Sequence, residues 1–338
     1  MEKQKLWVYG SFAFSAVILV IILFSTFNEE TLIYLQHFNI YYLIVAIGLR
    51  FFAFGLWAQR MKVMSMGLGH RVSFRRCYLA VIANLLVAAI TPSSAGGEPI
   101  RIHELYKSGM KVGDATAVVI TERFLDAIIL IILAVGAILL MWDVIVGLGT
   151  AMIGVIFFSI GVLLLFDILL ILAAKYPLQV KEKVMRLLNW VGKKFHTPAI
   201  HHIISRTDEE YDHFTSGLAS FANRGKYGLI WGFIFSLFFW ISEFIVASVI
   251  LLGLGLPPLL GNSMFAQIII ALVSMIPLTP GASGIAEISA TSLYALFVPT
   301  AVLGIFILLW RLIMFYLNVV LGLIGTILIV RREVSEDT

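Results

Sequence analysis

One cysteine in 338 residues, Cys77, rules out an internal disulfide and leaves the redox compartment open. Charge is scarce as well: Asp, Glu, Lys and Arg make 13% of the chain against 60% hydrophobic residues, and mean hydropathy is +0.99. Soluble domains carry roughly a quarter charged residues, so that class is excluded and a polytopic all-α membrane protein is indicated. Short segments of alternating polarity are missing, which excludes a transmembrane β-barrel. Also missing are G-x-x-x-x-G-K-[ST], a Rossmann fingerprint, H-E-x-x-H and G-x-S-x-G, so catalysis is poorly supported and no cofactor is expected. The net charge of +4 and isoelectric point near 9.1 do not signal nucleic acid, because the basic residues flank apolar runs as in cytoplasmic loops.

What the chain has is long apolar runs. A membrane span takes about 20 apolar residues, and six runs qualify: 6–27, 39–59, 113–141, 146–174, 227–253 and 300–330. Met1 to Lys5 before the first run resembles a signal peptide. That run is too long for one, and Asn28-Glu29-Glu30 offers no cleavage site, so an uncleaved span is expected.

Two further apolar regions, 77–107 and 263–298, are each broken in the middle by related segments. These are Thr91-Pro92-Ser93-Ser94-Ala95-Gly96-Gly97-Glu98 and Thr279-Pro280-Gly281-Ala282-Ser283-Gly284-Ile285-Ala286-Glu287. Irregular backbone at membrane depth survives only where protein buries it or where it lines a polar cavity. Each half is too short to cross comfortably, which predicts two re-entrant hairpins.

Loop charge agrees. With Lys3 and Lys5 in the cytoplasm, Arg60, Lys62, Arg71, Arg75 and Arg76 fall inside again, and a first hairpin returns Lys107 and Lys111 to the same side. The basic 175–226 segment and Arg331-Arg332 follow, so both termini are expected in the cytoplasm. Eight ordinary spans with two Pro kinks would instead put Lys107 and Lys111 outside. The organisation read is a single transmembrane domain, 1–338, with repeat one at 39–141 and repeat two at 227–330 running in opposite directions, as in many transporters. Arg123 lies 32 residues after Thr91, and Arg311 lies 32 after Thr279. Segment 175–226 reads as a cytoplasmic amphipathic connector, with Val184, Leu187, Leu188 and Val191 at helical spacing. Its His196, His201, His202 and His213 read as a solvated linker rather than a metal site.

Ionisable residues inside spans are costly and mark pathways by default. Here they are Arg50, Glu98, Arg101, Glu122, Arg123, Asp126, Asp167, Glu243, Glu287 and Arg311. Asp167 reads as a rim residue, and Arg50 and Glu243 receive no role. Helices restarting after each tip would aim amides at the bilayer middle, an anion site. Gly96, Gly97, Gly281 and Gly284 permit the close backbone approach, and Thr91, Ser93, Ser94, Thr279 and Ser283 add hydroxyls. Arg101, Arg123 and Arg311 suit phosphate. Glu98, Glu122, Asp126 and Glu287 would balance them, take up protons or engage a cationic headgroup. The competing readings are structural ion pairs, Arg123 with Glu287 or Arg311 with Glu98, and glycines that only permit tight helix packing.

Three segments, Thr91 to Arg101, Glu122-Arg123-Phe124-Leu125-Asp126 and Pro277 to Glu287, resemble the lysylphosphatidylglycerol synthase transmembrane-region family over nearly the whole chain. That family is the integral membrane part of bacterial multiple-peptide-resistance proteins and also occurs as stand-alone proteins. The resemblance implies a lipid-translocating bundle; in two-domain members this part is regarded as the flippase for aminoacylated phosphatidylglycerol. Two departures stand out. The second motif usually reads Pro-Gly-Gly, an aliphatic residue, then Gly, whereas Ala282 and Ser283 stand here, and the soluble aminoacyl-transferase domain is missing.

The function expected is therefore a flippase of the cell membrane for an anionic phospholipid or lipid-linked headgroup, of aminoacyl-phosphatidylglycerol or polyprenyl-phosphate type. Its partners would be membrane lipids, a separate synthase or glycosyltransferase, or a second copy in a homodimer. The alternatives are an intramembrane enzyme of lipid phosphate metabolism using Glu98, Arg101 and His103, and a noncatalytic scaffold for such a synthase. An ion channel is disfavoured because both charge signs occur without a selectivity ring.

Overall fold

In hydrocarbon every backbone amide must be paired within its own segment, and the long apolar runs meet that demand as helices. The computed structural model describes residues 16–91, 95–147, 149–195, 210–221, 225–275, 279 and 281–336, which contain helices and no strands. Five helices are long and apolar enough to cross a membrane: α3 (Ile40–Gly67), α6 (Val112–Leu140), α8 (Thr150–Lys175), α11 (Lys226–Gly253) and the continuous run from Thr300 to Ser335. A sixth crossing is available if α1 (Ala16–Thr26) and α2 (Glu29–Gln36), bent by 105° at their junction, count as one span. Asn28 makes that bend, accepting from the Thr31 amide at 3.0 Å to cap α2. Lys3 and Lys5 lie outside the described residues.

The span read over 39–59 runs on to Gly67. Its 28 residues reach about 42 Å at 1.5 Å rise. Arg60, placed in a basic loop by its charge, is instead deep inside the bundle with 1% of its surface exposed.

Both interrupted regions fold as helix, tip, helix. In the first, α4 (Phe74–Ile90) leads to a short 3₁₀ turn at Ala95–Gly97 and then α5 (Glu98–Lys107). Arg76 Nη1, near the start of α4, donates to the Lys107 carbonyl at the end of α5 at 2.6 Å, so the chain leaves and returns at one end of the bundle. In the second, α12 (Leu260–Ser274) and α13 (Ile285–Tyr294) close likewise: the Ser263 and Tyr294 hydroxyls lie 2.9 Å apart. The two returns are at opposite ends. Asn39 N donates to Gly253 O near the second, while Gly67 and Gly228 meet near the first.

The last run consists of α14 (Thr300–Arg311), a π segment at Leu312–Tyr316 and α15 (Leu317–Glu336). A π segment widens one turn and often marks a functional position; here it follows Arg311 directly. Between the halves lie α7 (Trp142–Gly147), α8, the amphipathic α9 (Pro177–Phe195) and α10 (210–221). Lys181 Nζ bridges both Asp212 oxygens at 2.9 Å, and Glu210 accepts from the Gly113 amide at 2.7 Å, tying α9 to α10 and α10 to α6. His196, His201 and His202 lie outside the described residues, and His213 faces Lys111 at 3.3 Å.

α4 packs tightly against α15. An added Cβ on Gly322 would strike the Leu86 backbone nitrogen, the small-residue contact that membrane helices use in place of a hydrophobic driving force. Gly322→Ala is therefore expected to cost about 1–3 kcal/mol of stability through overpacking, read as a lowered unfolding temperature in detergent. Gly136→Ala, on open space in α6, should leave that temperature unchanged.

Candidate functional site

The two tips touch. Gly281 N donates to Thr91 O at 3.1 Å, and the left-handed backbone at Gly281 (φ +55°) lets it come this close to the Ala89 carbonyl and Phe315. On the other side, Thr91 Oγ1 donates to Val87 O at 2.8 Å and accepts from Gly96 N at 3.0 Å, so the first tip is closed by its own threonine. Gly97 lies against Asn84, where a Cβ has no room. Ser93 and Ser94 lie outside the described residues.

Each tip is followed by a carboxylate that pairs with an arginine on the next helix. Glu98, the first residue of α5, accepts from Arg123 Nε at 2.7 Å and Nη2 at 2.6 Å. Glu287 accepts from Arg311 Nε at 2.9 Å and, on its other oxygen, from Gly284 N at 2.8 Å. Arg123 and Arg311 are each the twelfth residue of their helices. The pairs thus form within each half, rather than crossed as in the competing ion-pair reading, Arg123 with Glu287 or Arg311 with Glu98. The anion seat expected at the start of α13 is likewise taken by Glu287, whose charge Arg311 answers. Ser283 Oγ lies 3.5 Å from Arg311 Nη2, and Arg311 stacks over Phe315 at 4.3 Å.

In the first half the pairing extends into a chain. Arg101 contacts Glu98 at 3.5 Å and Glu122 more closely; Glu122 also accepts from Arg60 Nε at 3.1 Å. Arg60 continues to Asp126 at 2.6 Å and Ser236 at 2.7 Å, and Trp240 Nε1 donates to Asp126 at 3.0 Å. A third group joins Arg50 to Glu243 and, at 2.9 Å, to Asn318. Five arginines thus meet five carboxylates. Sequence reasoning missed Arg60, Ser236 and Trp240; the signal for Arg60 was the apolar run of Met61, Val63, Met64 and Met66 beyond it, which continues a helix rather than starting a loop.

Between the tips lies a cavity of about 290 Å³, walled by Arg50, Arg123, Asp126, Glu243 and Arg311 with Trp57, Trp240, Trp310 and Gly281. Arg123 is 29% exposed at its side chain, while Arg50, Arg60, Arg101 and Arg311 are at most 4% exposed. Arg101, expected to hold phosphate, is walled off. Asn84 also lines the cavity, and its Oδ1 is buried without a hydrogen-bond partner among the described residues, as are Glu98 Oε2 and Thr279 Oγ1. Asp167, read as a rim residue, is buried on α8 and its Oδ1 is likewise unpartnered. Of the three residues named for the enzyme alternative, Glu98 and Arg101 lie 3.5 Å apart, and His103 Nε2 faces Glu333 at 2.8 Å.

Removing one member of a buried ion network strands the others. Glu122→Ala leaves Arg101 and Arg60 short of a partner, and a loss of about 3–5 kcal/mol is expected, seen as a lower unfolding temperature and lower yield of folded protein. Glu182→Ala, from an exposed pair with Arg186, should change neither, since such pairs contribute about 0–1 kcal/mol.

Comparison with known proteins agrees with this architecture. The family model described as lysylphosphatidylglycerol synthase TM region matches residues 8–322. A UPF0104 membrane protein of Archaeoglobus fulgidus is 34% identical over 314 residues, covering 92% of this chain and 93% of that protein. UPF0104 membrane protein PH1989 of Pyrococcus horikoshii is 23% identical over 331 residues, covering 95% and 96%. No solved structure matches the chain. The chain is a membrane protein that belongs to the lysylphosphatidylglycerol synthase transmembrane-region family.

Proposed function

We propose that this protein is a lipid translocase of the cytoplasmic membrane, moving the headgroup of an anionic phospholipid or polyprenyl phosphate across the bilayer without chemical change. The observation that carries the reading is the meeting of two broken-helix tips, entering from opposite ends of the bundle, beside one cavity that holds both arginine and carboxylate. Transporters built from inverted repeats place their substrate at such a junction of discontinuous helices. On this reading the tips are re-entrant, the basic end of the bundle faces the cytoplasm, and the two halves rock about the Thr91–Gly281 contact.

Arg123 would take the phosphate. It is the cavity arginine with exposed surface, and an incoming phosphate oxygen competes with Glu98 for it. Arg101 still faces Glu98 when Arg123 turns away. Asp126, which lines the cavity and is fixed by Arg60 and Trp240, offers a counter-charge to an amine. The family's description, which names lysylphosphatidylglycerol, fits a headgroup carrying both a phosphate and donors. The acyl or prenyl tails stay in lipid.

In proteoliposomes carrying fluorescent phospholipids or polyprenyl phosphates, Arg123→Ala is expected to slow transbilayer movement by on the order of tenfold or more, the loss of a hydrogen bond to a charged group. Wild type and variant moving every lipid at the same rate would remove Arg123 from the site. No movement above protein-free vesicles for wild type would remove the function.

A further inference from the structure

The central cavity is lined by both arginines and carboxylates, whereas a second pocket of about 590 Å³ is lined by three arginines and no carboxylate. It opens where α4 and α15 diverge at the basic end of the bundle, lined by Ser73, Arg75, Arg76, Leu79, Leu328 and Arg332 among others. We infer that this pocket is a binding site for the phosphate of an anionic phospholipid, separate from the central cavity. Two of its arginines are held in position. Arg332 Nη2 lies 2.8 Å from both oxygens of Glu104, and Arg76 Nε lies 3.9 Å from the same carboxylate while its Nη1 is fixed on the Lys107 carbonyl. Glu104 is fully buried behind them, whereas Arg76 and Arg332 are 20% and 23% exposed at their side chains, so the guanidinium edges meet the pocket while the carboxylate does not.

Arg75 completes the set. It is exposed and makes no hydrogen bond or ion pair among the described residues. Preoriented guanidinium groups suit phosphate oxygens, and basic pockets between membrane helices hold anionic headgroups. The remaining wall decides between a lipid and a free phosphate. Leu79 and Leu328 lie on α4 and α15 one turn further into the bundle than Arg75 and Arg332, where an acyl chain would run. A lipid bound here ties the first hairpin's open end to the last helix, at the same place where Glu104 already links α5 to α15.

The test is native mass spectrometry of the full chain in detergent, titrated with phosphatidylglycerol, with phosphatidylcholine, and with inorganic phosphate as competitor. Wild type is expected to retain phosphatidylglycerol at concentrations where phosphatidylcholine is lost. Affinity should fall about fivefold in Arg75→Gln and about thirtyfold in Arg75→Gln/Arg76→Gln, following the usual contribution of each arginine at a membrane surface. Arg75 is exposed, so its single variant leaves the fold intact. The same fivefold and thirtyfold losses should appear when the Arg75 variants are made in an Arg123→Gln background, which separates this site from the central cavity and from the outcome of the transport assay. Unchanged affinity in both Arg75 variants, or phosphatidylcholine held as tightly as phosphatidylglycerol, would overturn the site. Displacement of the lipid by millimolar inorganic phosphate would overturn the lipid as its occupant.

Discussion

A charge inside a bilayer must be answered by another charge, and this bundle is organised around that requirement. Arg123, Glu98, Arg101, Glu122, Arg60 and Asp126 alternate in sign through consecutive contacts, from α6 to α5, back to α6, across to α3 and back again. Each helix supplying a member has its rotation set, because turning it would strand a charge at roughly 2.5–3.5 kcal/mol on insertion scales. The chain also fixes how deep α3 sits. Arg60 can lie within the bundle only because Glu122 and Asp126, one turn apart on α6, both face it. Trp57 and Phe239 close over that guanidinium at 5.8 Å each and complete its shielding.

The tips depend on the same balance by a different route. A helix that starts in mid-bundle leaves free amides and a positive dipole end, and each half places its own carboxylate there: Glu98 in the first turn of α5 and Glu287 in the first turn of α13. That carboxylate in turn demands an arginine on the following helix. In the second tip the backbone is left-handed at Gly281, Ala282 and Gly284. The family pattern has glycine where Ala282 stands, and the φ of +52° at Ala282 explains that preference, since an L side chain there costs roughly 1–2 kcal/mol. The side chain is 93% buried in the tip, and its contacts offset part of that strain.

Hydrophobic run length made the spans legible in the sequence, and broken runs with Thr-Pro-Gly made the tips legible, because both are properties of consecutive residues. Pairing was not. The arginines and carboxylates stood out as residues out of place, yet which of them meet depends on the faces that neighbouring helices turn to one another. Arg123 reaches Glu98 because α5 and α6 are successive helices packed side by side, a local geometry that the equal offsets of Arg123 and Arg311 from their threonines do not distinguish from a crossed arrangement. Arg60 escaped for a related reason. Charge next to Lys62 reads as a loop until the partner helix is known, and its partners are more than 60 residues away in α6.

Charge balance also bears on how a translocase of this design would release what it binds. A cavity whose three arginines were unpaired would hold a phosphate too tightly to let it leave, just as a channel site must bind weakly enough to pass its ion. Here the arginines around the cavity are engaged before a ligand arrives, so on the proposed reading binding would be an exchange, phosphate replacing Glu98 on Arg123 while Glu98 stays with Arg101. Such an exchange conserves the number of ion pairs, and its free energy is small in either direction. The pocket lined by Arg75, Arg76 and Arg332 lies instead at the end of the bundle, where, on the inference drawn above, a headgroup would be held without having to be passed on. A translocase that separated a balanced interior from an arginine-lined rim would attract anionic lipid without trapping it.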